Sequence, residues 1–186
     1  TRPPKEAEPQ LRGDSVGSDR YTCTDYLQRE YQNVWHTVWN IGGVAYQMPE
    51  PGDYLTTELG IDSIIMARQE DGSVKAFFNS CPHRGTRITE AEDGHVQEFS
   101  CPYHGWTFDR AGVVTSVPDE EDFAESPCGK AHLKEMRCEE RFGLIWYNFD
   151  PAAPTLDASL GETICRELES HRIEDMLRVL DMTAET

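Results

Sequence analysis

Positive charge is scarce in this chain. Its 186 residues carry 17 lysines and arginines against 34 aspartates and glutamates, a formal net charge of −17. Phosphate contacts need clustered Lys and Arg, so no nucleic acid and no anionic membrane surface is expected as partner. Long hydrophobic runs are missing as well: none approaches the roughly 18–20 apolar residues that span a bilayer. Thr1 to Gln10 holds no hydrophobic signal core, so a secretory leader is expected to be either absent or already removed, and a start at Thr1 reads as that of a processed or trimmed chain. The six cysteines lack a disulfide framework. Cys23, Cys128, Cys138 and Cys165 are widely scattered and are expected to be free thiols in a reducing cytoplasm. Internal repeats and low-complexity tracts are also absent.

What is present suits a soluble globular protein, 38% hydrophobic and 27% charged, long enough to bury one full core with a small second element. The acidity has two readings. It aids solubility, or it steers basic partner proteins through fast, salt-sensitive encounters.

Residues 1–19 contain Pro3, Pro4, Pro9, Gly13 and Gly17 without periodicity and read as a flexible tail, in which Arg12-Gly13-Asp14 is a chance adhesion tripeptide. Residues 20–43 read as an N-terminal helix and connector. Leu27, Tyr31, Val34 and Val38 recur at helical spacing, Thr24 or Asp25 serves as N-cap, and Gly42-Gly43 ends the unit. Residues 44–154 read as a β domain. Strands are expected at Tyr54–Leu59, Ile61–Arg68, Val74–Asn79, His95–Ser100, Trp106–Asp109, Val113–Val117, Lys134–Glu139 and Leu144–Phe149. Turns fall at Glu70–Ser73, Arg110–Gly112 and Arg141–Gly143. Many short strands with regular turns imply a mainly β fold, a small antiparallel barrel or sandwich, flanked by an N-terminal and a C-terminal helix. From 155 to 186, after the Pro151–Pro154 linker, Leu160, Ile164 and Leu168 mark an amphipathic helix. Arg178–Met182 then alternates as a strand would, and this stretch reads as the truncated start of a further domain.

Two short segments carry the chemistry: Cys81-Pro82-His83-Arg84-Gly85 and Cys101-Pro102-Tyr103-His104-Gly105-Trp106. They supply two thiolates and two imidazoles as Cys-x-His, seventeen intervening residues, then Cys-x-x-His. A Rieske 2Fe–2S cluster needs this mixed set, one iron held by two cysteines and the other by two histidines. Each loop is followed by glycine, which lets the ligands sit at the tips of two facing hairpins. A structural zinc site also takes two cysteines and two histidines. Common zinc spacings, however, set Cys with Cys and His with His about two to four residues apart, whereas here each loop carries one of each.

On these loops, on the Glu30-Tyr31-x-x-Val34-Trp35 helix, the Pro51–Tyr54 turn and the Trp146-Tyr147-Asn148 strand, the chain resembles the N-terminal part of the large (alpha) subunit of aromatic-ring-hydroxylating Rieske non-haem iron oxygenases, over roughly Tyr21 to Met182. The resemblance implies cluster ligands Cys81, His83, Cys101 and His104, with Arg84, Tyr103 and Trp106 shielding the cluster. It implies electrons arriving from a reductase or ferredoxin and leaving through the histidines toward a carboxylate of a neighbouring subunit's catalytic domain. It further implies a mononuclear Fe(II) site in that domain and a trimeric assembly. Thr86, Tyr103 and Trp106 stand where the respiratory branch has an extra cysteine in each loop and a serine near the cluster. A potential near the low end of the Rieske range, about −150 mV rather than about +300 mV, is therefore expected.

No catalytic residue is expected in the chain itself. A two-histidine, one-carboxylate site would have to draw on His36, His95, His132 and His171, which lie on separate elements with no acid paired close by, and they read as surface or core histidines. Asp119-Glu120-Glu121-Asp122 with Glu125 is either a solvated loop or a docking patch for the electron donor. Trp106, Phe108, Trp146 and Tyr147 are assigned to core and cluster cover, Trp35 and Trp39 to packing. The rival function is a stand-alone Rieske ferredoxin. A more distant rival is a zinc-stabilised interaction module.

Overall fold

Strand β3 (Asp62–Arg68) explains the architecture. Successive strand residues point to opposite faces, and here both faces are buried: Ile65 and Ala67 enter one apolar cluster, Ile64 and Met66 the other. Its neighbours β2 (Asp53–Leu59) and β4 (Val74–Phe78) split the same way, Tyr54 and Phe77 to the first cluster, Leu55, Val74 and Ala76 to the second. This is a computed structural model, and it describes residues 17–176.

One seven-stranded antiparallel sheet runs β1-β10-β9-β4-β3-β2-β5, with β1 at Asn40–Val44, β5 at Asp93–His95, β9 at Glu135–Arg141 and β10 at Leu144–Asn148. A second sheet of β6 (Glu98–Ser100), β7 (Thr107–Asp109) and β8 (Val114–Ser116) lies against its first face. The mainly β antiparallel fold is thus as expected. The expected turns at 70–73, 110–112 and 141–143 connect paired strands or approach them. At the last, Phe142 (φ 59) and Gly143 (φ 72) both adopt positive φ, as a tight hairpin of this twist requires.

Several elements differ from the sequence reading. Gly42-Gly43 does not end a unit but lies within β1, paired with β10. A Cβ on Gly42 would stand 2.2 Å from Met66 Sδ, and one on Gly43 2.6 Å from Leu55 Cδ1. The glycines therefore permit close approach inside a strand rather than breaking the chain. The stretch 95–100 is not one strand. It divides into β5, paired with β2, and β6, paired with β7, so the chain changes sheets at Val96-Gln97. The N-terminal helix is composite: α1 (Asp19–Thr22), α2 (Thr24–Glu30) with Cys23 rather than Thr24 or Asp25 at the N-cap position and no side-chain cap, and a π-helical turn at Tyr31–Trp35. Most of its apolar stripe is uncovered among the described residues, with Leu27, Val34, Val38 and the neighbouring Trp35 exposed, while Tyr31 is half-buried against Gly60 and His36. Periodicity reveals an apolar face but not its partner. Trp39, by contrast, packs as expected, its Nε1 donating to Pro154 O at 3.1 Å and its ring lying under the Arg137 guanidinium.

The C-terminal helix α3 (Leu156–His171) forms as expected, with Thr155 capping Ala158 N, and it is interrupted at Gly161, where φ is 75°. Leu156 is its one fully buried side chain; Ile164 is half exposed. Residues 1–16 of the expected tail, the Arg12-Gly13-Asp14 tripeptide and the Arg178–Met182 strand lie outside the described residues. No helix among the described residues is long and apolar enough to cross a membrane.

Candidate metal centre

The two cysteine–histidine segments share one backbone design. Cys81 N donates to Thr86 O at 2.8 Å and Cys101 N to Trp106 O at 2.8 Å. Gly85 N returns to Cys81 O at 2.8 Å and Gly105 N to Cys101 O at 3.0 Å. Gly85 (φ 73) and Gly105 (φ 69) take the left-handed conformation that closes each loop. The second loop joins the paired strands β6 and β7. The first joins β4 to β5, which pair with other strands, so no ladder closes its base.

Asn79 closes it instead. Only 3% exposed, it accepts from Ile88 N (2.9 Å) and Thr89 N (3.2 Å) and donates to Thr89 O (2.7 Å) and Ser63 Oγ (3.1 Å). Nearly the whole bonding capacity of a carboxamide is used. Sequence reasoning treated Asn79 as a strand terminus. Its one signal is a polar residue at the end of a buried strand, two positions before Cys81.

Cys81 and Cys101 are both 3% exposed and belong to the first apolar cluster with Trp106 and Phe108. Their thiols face each other. Burial pushes the Cys81 thiol above its ordinary value. The backbone N–H groups of His83 and Arg84 act the other way, and the facing Cys101 adds to the rise. A thiol buried in this way resists ionising until a cation replaces its proton.

The two imidazoles form the outer pair, ring centroids 4.7 Å apart. Trp106, 7% exposed, stacks parallel on His83 at 5.0 Å and 7°. Tyr103 covers His104 at 3.7 Å but is itself 56% exposed. Arg84 sits exposed at the loop tip. Partial loss of hydration, then the nearby His83 and Arg84 charges, hold His104 below the usual histidine range. Neutral imidazole is the form that binds metal. His83 Nδ1 is buried without a hydrogen-bond partner, although buried ring nitrogens are normally satisfied.

These residues fit a binuclear cluster better than a single ion. A tetrahedral zinc needs its four donors converging within about 2.0–2.3 Å of one point. Among the described residues no three His, Cys, Asp or Glu side chains converge in that way. A thiol pair beneath an imidazole pair instead offers two ligands to each of two irons. A buried nitrogen lacking a partner is what such a metal would satisfy.

Three of the four remaining histidines meet an acid, contrary to the sequence reading; His132 meets none among the described residues. His36 Nε2 lies 3.0 Å from Asp62 Oδ2, His95 Nδ1 2.8 Å from Asp53 Oδ1, and His171 Nε2 3.7 Å from Glu167. The first two pairs join residues far apart in sequence, which spacing alone does not reveal. Each is one histidine with one carboxylate. Trp146 and Tyr147 are buried, but Tyr147 lies in the second apolar cluster, across the sheet from the cysteines, and Trp146 Nε1 donates to Arg141 O. They are core rather than cover. All six cysteines are free thiols.

Comparison with known proteins agrees with the donor set. The family model of the Rieske [2Fe-2S] domain matches residues 38–135. Benzene 1,2-dioxygenase subunit alpha of Pseudomonas putida is 41% identical over 143 residues, covering 76% of this chain and 32% of that protein. Biphenyl 2,3-dioxygenase subunit alpha of Rhodococcus jostii is 36% identical over 146 residues, covering 76% and 31%. The solved structure of naphthalene 1,2-dioxygenase with indole bound superposes with a TM-score of 0.69 at 39% identity, over 73% of this chain and 31% of that one. A quaternary ammonium Rieske monooxygenase shares the fold with a TM-score of 0.78 at 24% identity, over 85% and 44%. The chain spans about a third of the length of the dioxygenase subunits it matches. Donor set, loop geometry and family match together show that the chain belongs to the Rieske [2Fe–2S] domain family.

Proposed function

We propose that this chain is the electron-transfer portion of a ring-hydroxylating oxygenase large subunit, with Cys81 and Cys101 holding one iron and His83 and His104 the other. The observation that carries the ligand assignment is the buried thiol pair set under an imidazole pair in which His83 Nδ1 has no partner. When bound, the cluster supplies a one-electron relay. The chain's own groups do the rest. The buried thiols would hold one iron in a dry core, and the backbone N–H groups of His83 and Arg84 would offset charge on the Cys81 sulfur. Trp106 shields one histidine, while Tyr103 and Arg84 sit at the exposed tip around the other.

The dioxygenase relatives support a larger setting: electrons received from a reductase or ferredoxin and delivered to a mononuclear Fe(II) in a catalytic domain, within an oligomer, a trimer by family resemblance, in the cytoplasm. The cluster domain is residues 44–154, and residues 155–186 are the start of the catalytic domain. Thr86 and Tyr103 leave no cysteine pair for a disulfide between the loops, and Trp106 stands where the respiratory branch has its serine hydroxyl, which favours a potential near about −150 mV. Iron and sulfide analysis with EPR of the dithionite-reduced protein tests the reading. A rhombic signal averaging about g 1.9 is expected, and a colourless protein with stoichiometric zinc would overturn it.

A further inference from the structure

We propose that Phe123 is a positioning residue for the cluster site: it clamps Trp106 flat on His83 and completes a dry lid over the histidine-held iron. The inference rests on the cluster reading above. Trp106 lies parallel to His83 and also meets Phe123 in a T-shaped contact, centroids 5.9 Å apart at 71°. His83, Trp106 and Phe123 thus form a chain of ring contacts, one stacked and one T-shaped, whose last member is 38% exposed.

Phe123 is the one aromatic in Asp119–Pro127, a stretch whose other side chains include five carboxylates that repel one another. Such a segment needs anchors to stay against a protein surface. Val117, 6% exposed, roots it in the same apolar cluster as Cys101 and Trp106. Pro118 lies against the second ligand loop, close enough that a Cβ on Gly105 would meet its Cγ at 3.2 Å. Asp119 takes a left-handed turn (φ 53), Phe123 N donates to Glu120 O at 3.2 Å, and Ser126 donates to the Glu120 carboxylate. At the far end Gly129 N donates to Val114 O at 2.8 Å. Both ends are therefore held by backbone and core, and the middle is held by the Phe123 edge on Trp106.

Water near an iron–sulfur cluster stabilises its reduced, more negative state, so excluding water keeps the potential low. Removing the Phe123 ring frees Trp106 to tilt and admits water beside His83. The test uses the cluster-loaded chain with Phe123→Ala, Phe123→Leu and Phe123→Tyr, and with Ile61→Ala in the β2–β3 turn as a remote exposed control. Pulsed EPR in deuterium oxide should show about a twofold rise in exchangeable deuteron modulation for Phe123→Ala. Its reduction equilibrium against a fixed mediator should shift about threefold toward the reduced form, about 28 mV at about 59 mV per decade. Phe123→Leu should fall between, Phe123→Tyr should match the parent, and Ile61→Ala should move neither reading. If Phe123→Ala loses its cluster, Phe123→Leu decides by the same two readings. A parent with the Rieske spectrum and Ala and Leu variants unchanged in both readings would overturn the inference. A parent lacking that spectrum overturns the cluster reading instead.

Discussion

The two ligand loops have nearly the same backbone and quite different supports. Each closes through a cysteine N–H reaching the carbonyl five residues on and a left-handed glycine four residues on. The loop at 101–106 is the tip of a ladder-paired hairpin, with Ser100 opposite Thr107. The loop at 81–86 leaves a strand whose hydrogen-bonded partners lie elsewhere, and the Asn79 side chain takes the place of a ladder. Their covers differ as well: buried Trp106 and then Phe123 over His83, exposed Tyr103 over His104. One geometry for holding metal can thus be reached by main-chain pairing or by a single well-placed side chain. The second solution concentrates the risk in one residue.

The strongest way to break the comparison is to remove what the loops have in common. Cys81→Ser and Cys101→Ser should each reduce bound iron well over tenfold, beyond the roughly 10–100-fold range reached by outer-shell changes. Elemental analysis of purified protein measures this. If either variant kept full iron, the two sulfurs would not be equivalent ligands.

Next come the histidines. If His83→Cys and His104→Cys assemble a cluster, each replaces a neutral ligand by a thiolate and should lower the midpoint potential by at least about 59 mV, a tenfold change in the one-electron equilibrium. The fall should be larger for His83→Cys, whose added charge lies beneath Trp106 in a drier place where Coulomb energies are less screened. Redox titration followed by circular dichroism ranks them, and unchanged potentials in both would mean that neither histidine is a ligand.

The supports separate the loops most directly. Asn79→Ala leaves the buried Ile88 N–H and its neighbour at Thr89 without an acceptor and should destabilise the fold by about 2–4 kcal/mol. Ser100→Ala, at the ladder-paired position just before Cys101, changes an exposed side chain and should stay within about 0.5 kcal/mol. Urea titration of both variants checks the pair. Equal losses would mean that the second loop also leans on a side chain.

The closing glycines give a smaller contrast. Both have positive φ, so an alanine at either costs on the order of 1–2 kcal/mol. A Cβ at Gly85 finds only Ser80 Oγ at 3.9 Å, whereas at Gly105 it presses on Pro118 at 3.2 Å. Gly105→Ala should therefore unfold at lower denaturant than Gly85→Ala, and the reverse order would show that the 118–126 segment yields freely.

Much of this was legible in the sequence, for reasons that also explain what was not. Donor types and their spacing are local, so the four candidate ligands and the β-rich frame could be read directly from Cys-x-His, Cys-x-x-His and the turn residues. Long-range facts could not. Gly42-Gly43 has the composition of a breaker, yet pairing with β10 makes it a strand and the close approach of Met66 and Leu55 calls for glycine there. The passage from β5 to β6 looks continuous because a change of sheet leaves no compositional mark. The roles of Asn79 and Phe123 depend on partners up to seventeen residues away, Ser63 and Trp106, whose positions the topology sets. The same holds for His36 with Asp62 and His95 with Asp53.

Tyr103 provides the finest test. Its ring lies 3.7 Å from His104 at 32°, closer than Trp106 lies to His83, so contact distance alone would make it the stronger cover. Burial argues the opposite. A side chain 56% exposed returns little apolar area to the core when truncated, and surface changes of this kind usually stay within about 0.5 kcal/mol. Trp106 is 7% exposed within the core, and truncating a buried aromatic of that size costs about 3–5 kcal/mol. Tyr103→Leu should therefore leave the denaturation midpoint almost unmoved, while Trp106→Leu lowers it severely. Should Tyr103→Leu instead cost more than about 1 kcal/mol, the second loop would depend on its aromatic cover as the first does, and the ladder between Ser100 and Thr107 would not be the support that distinguishes it.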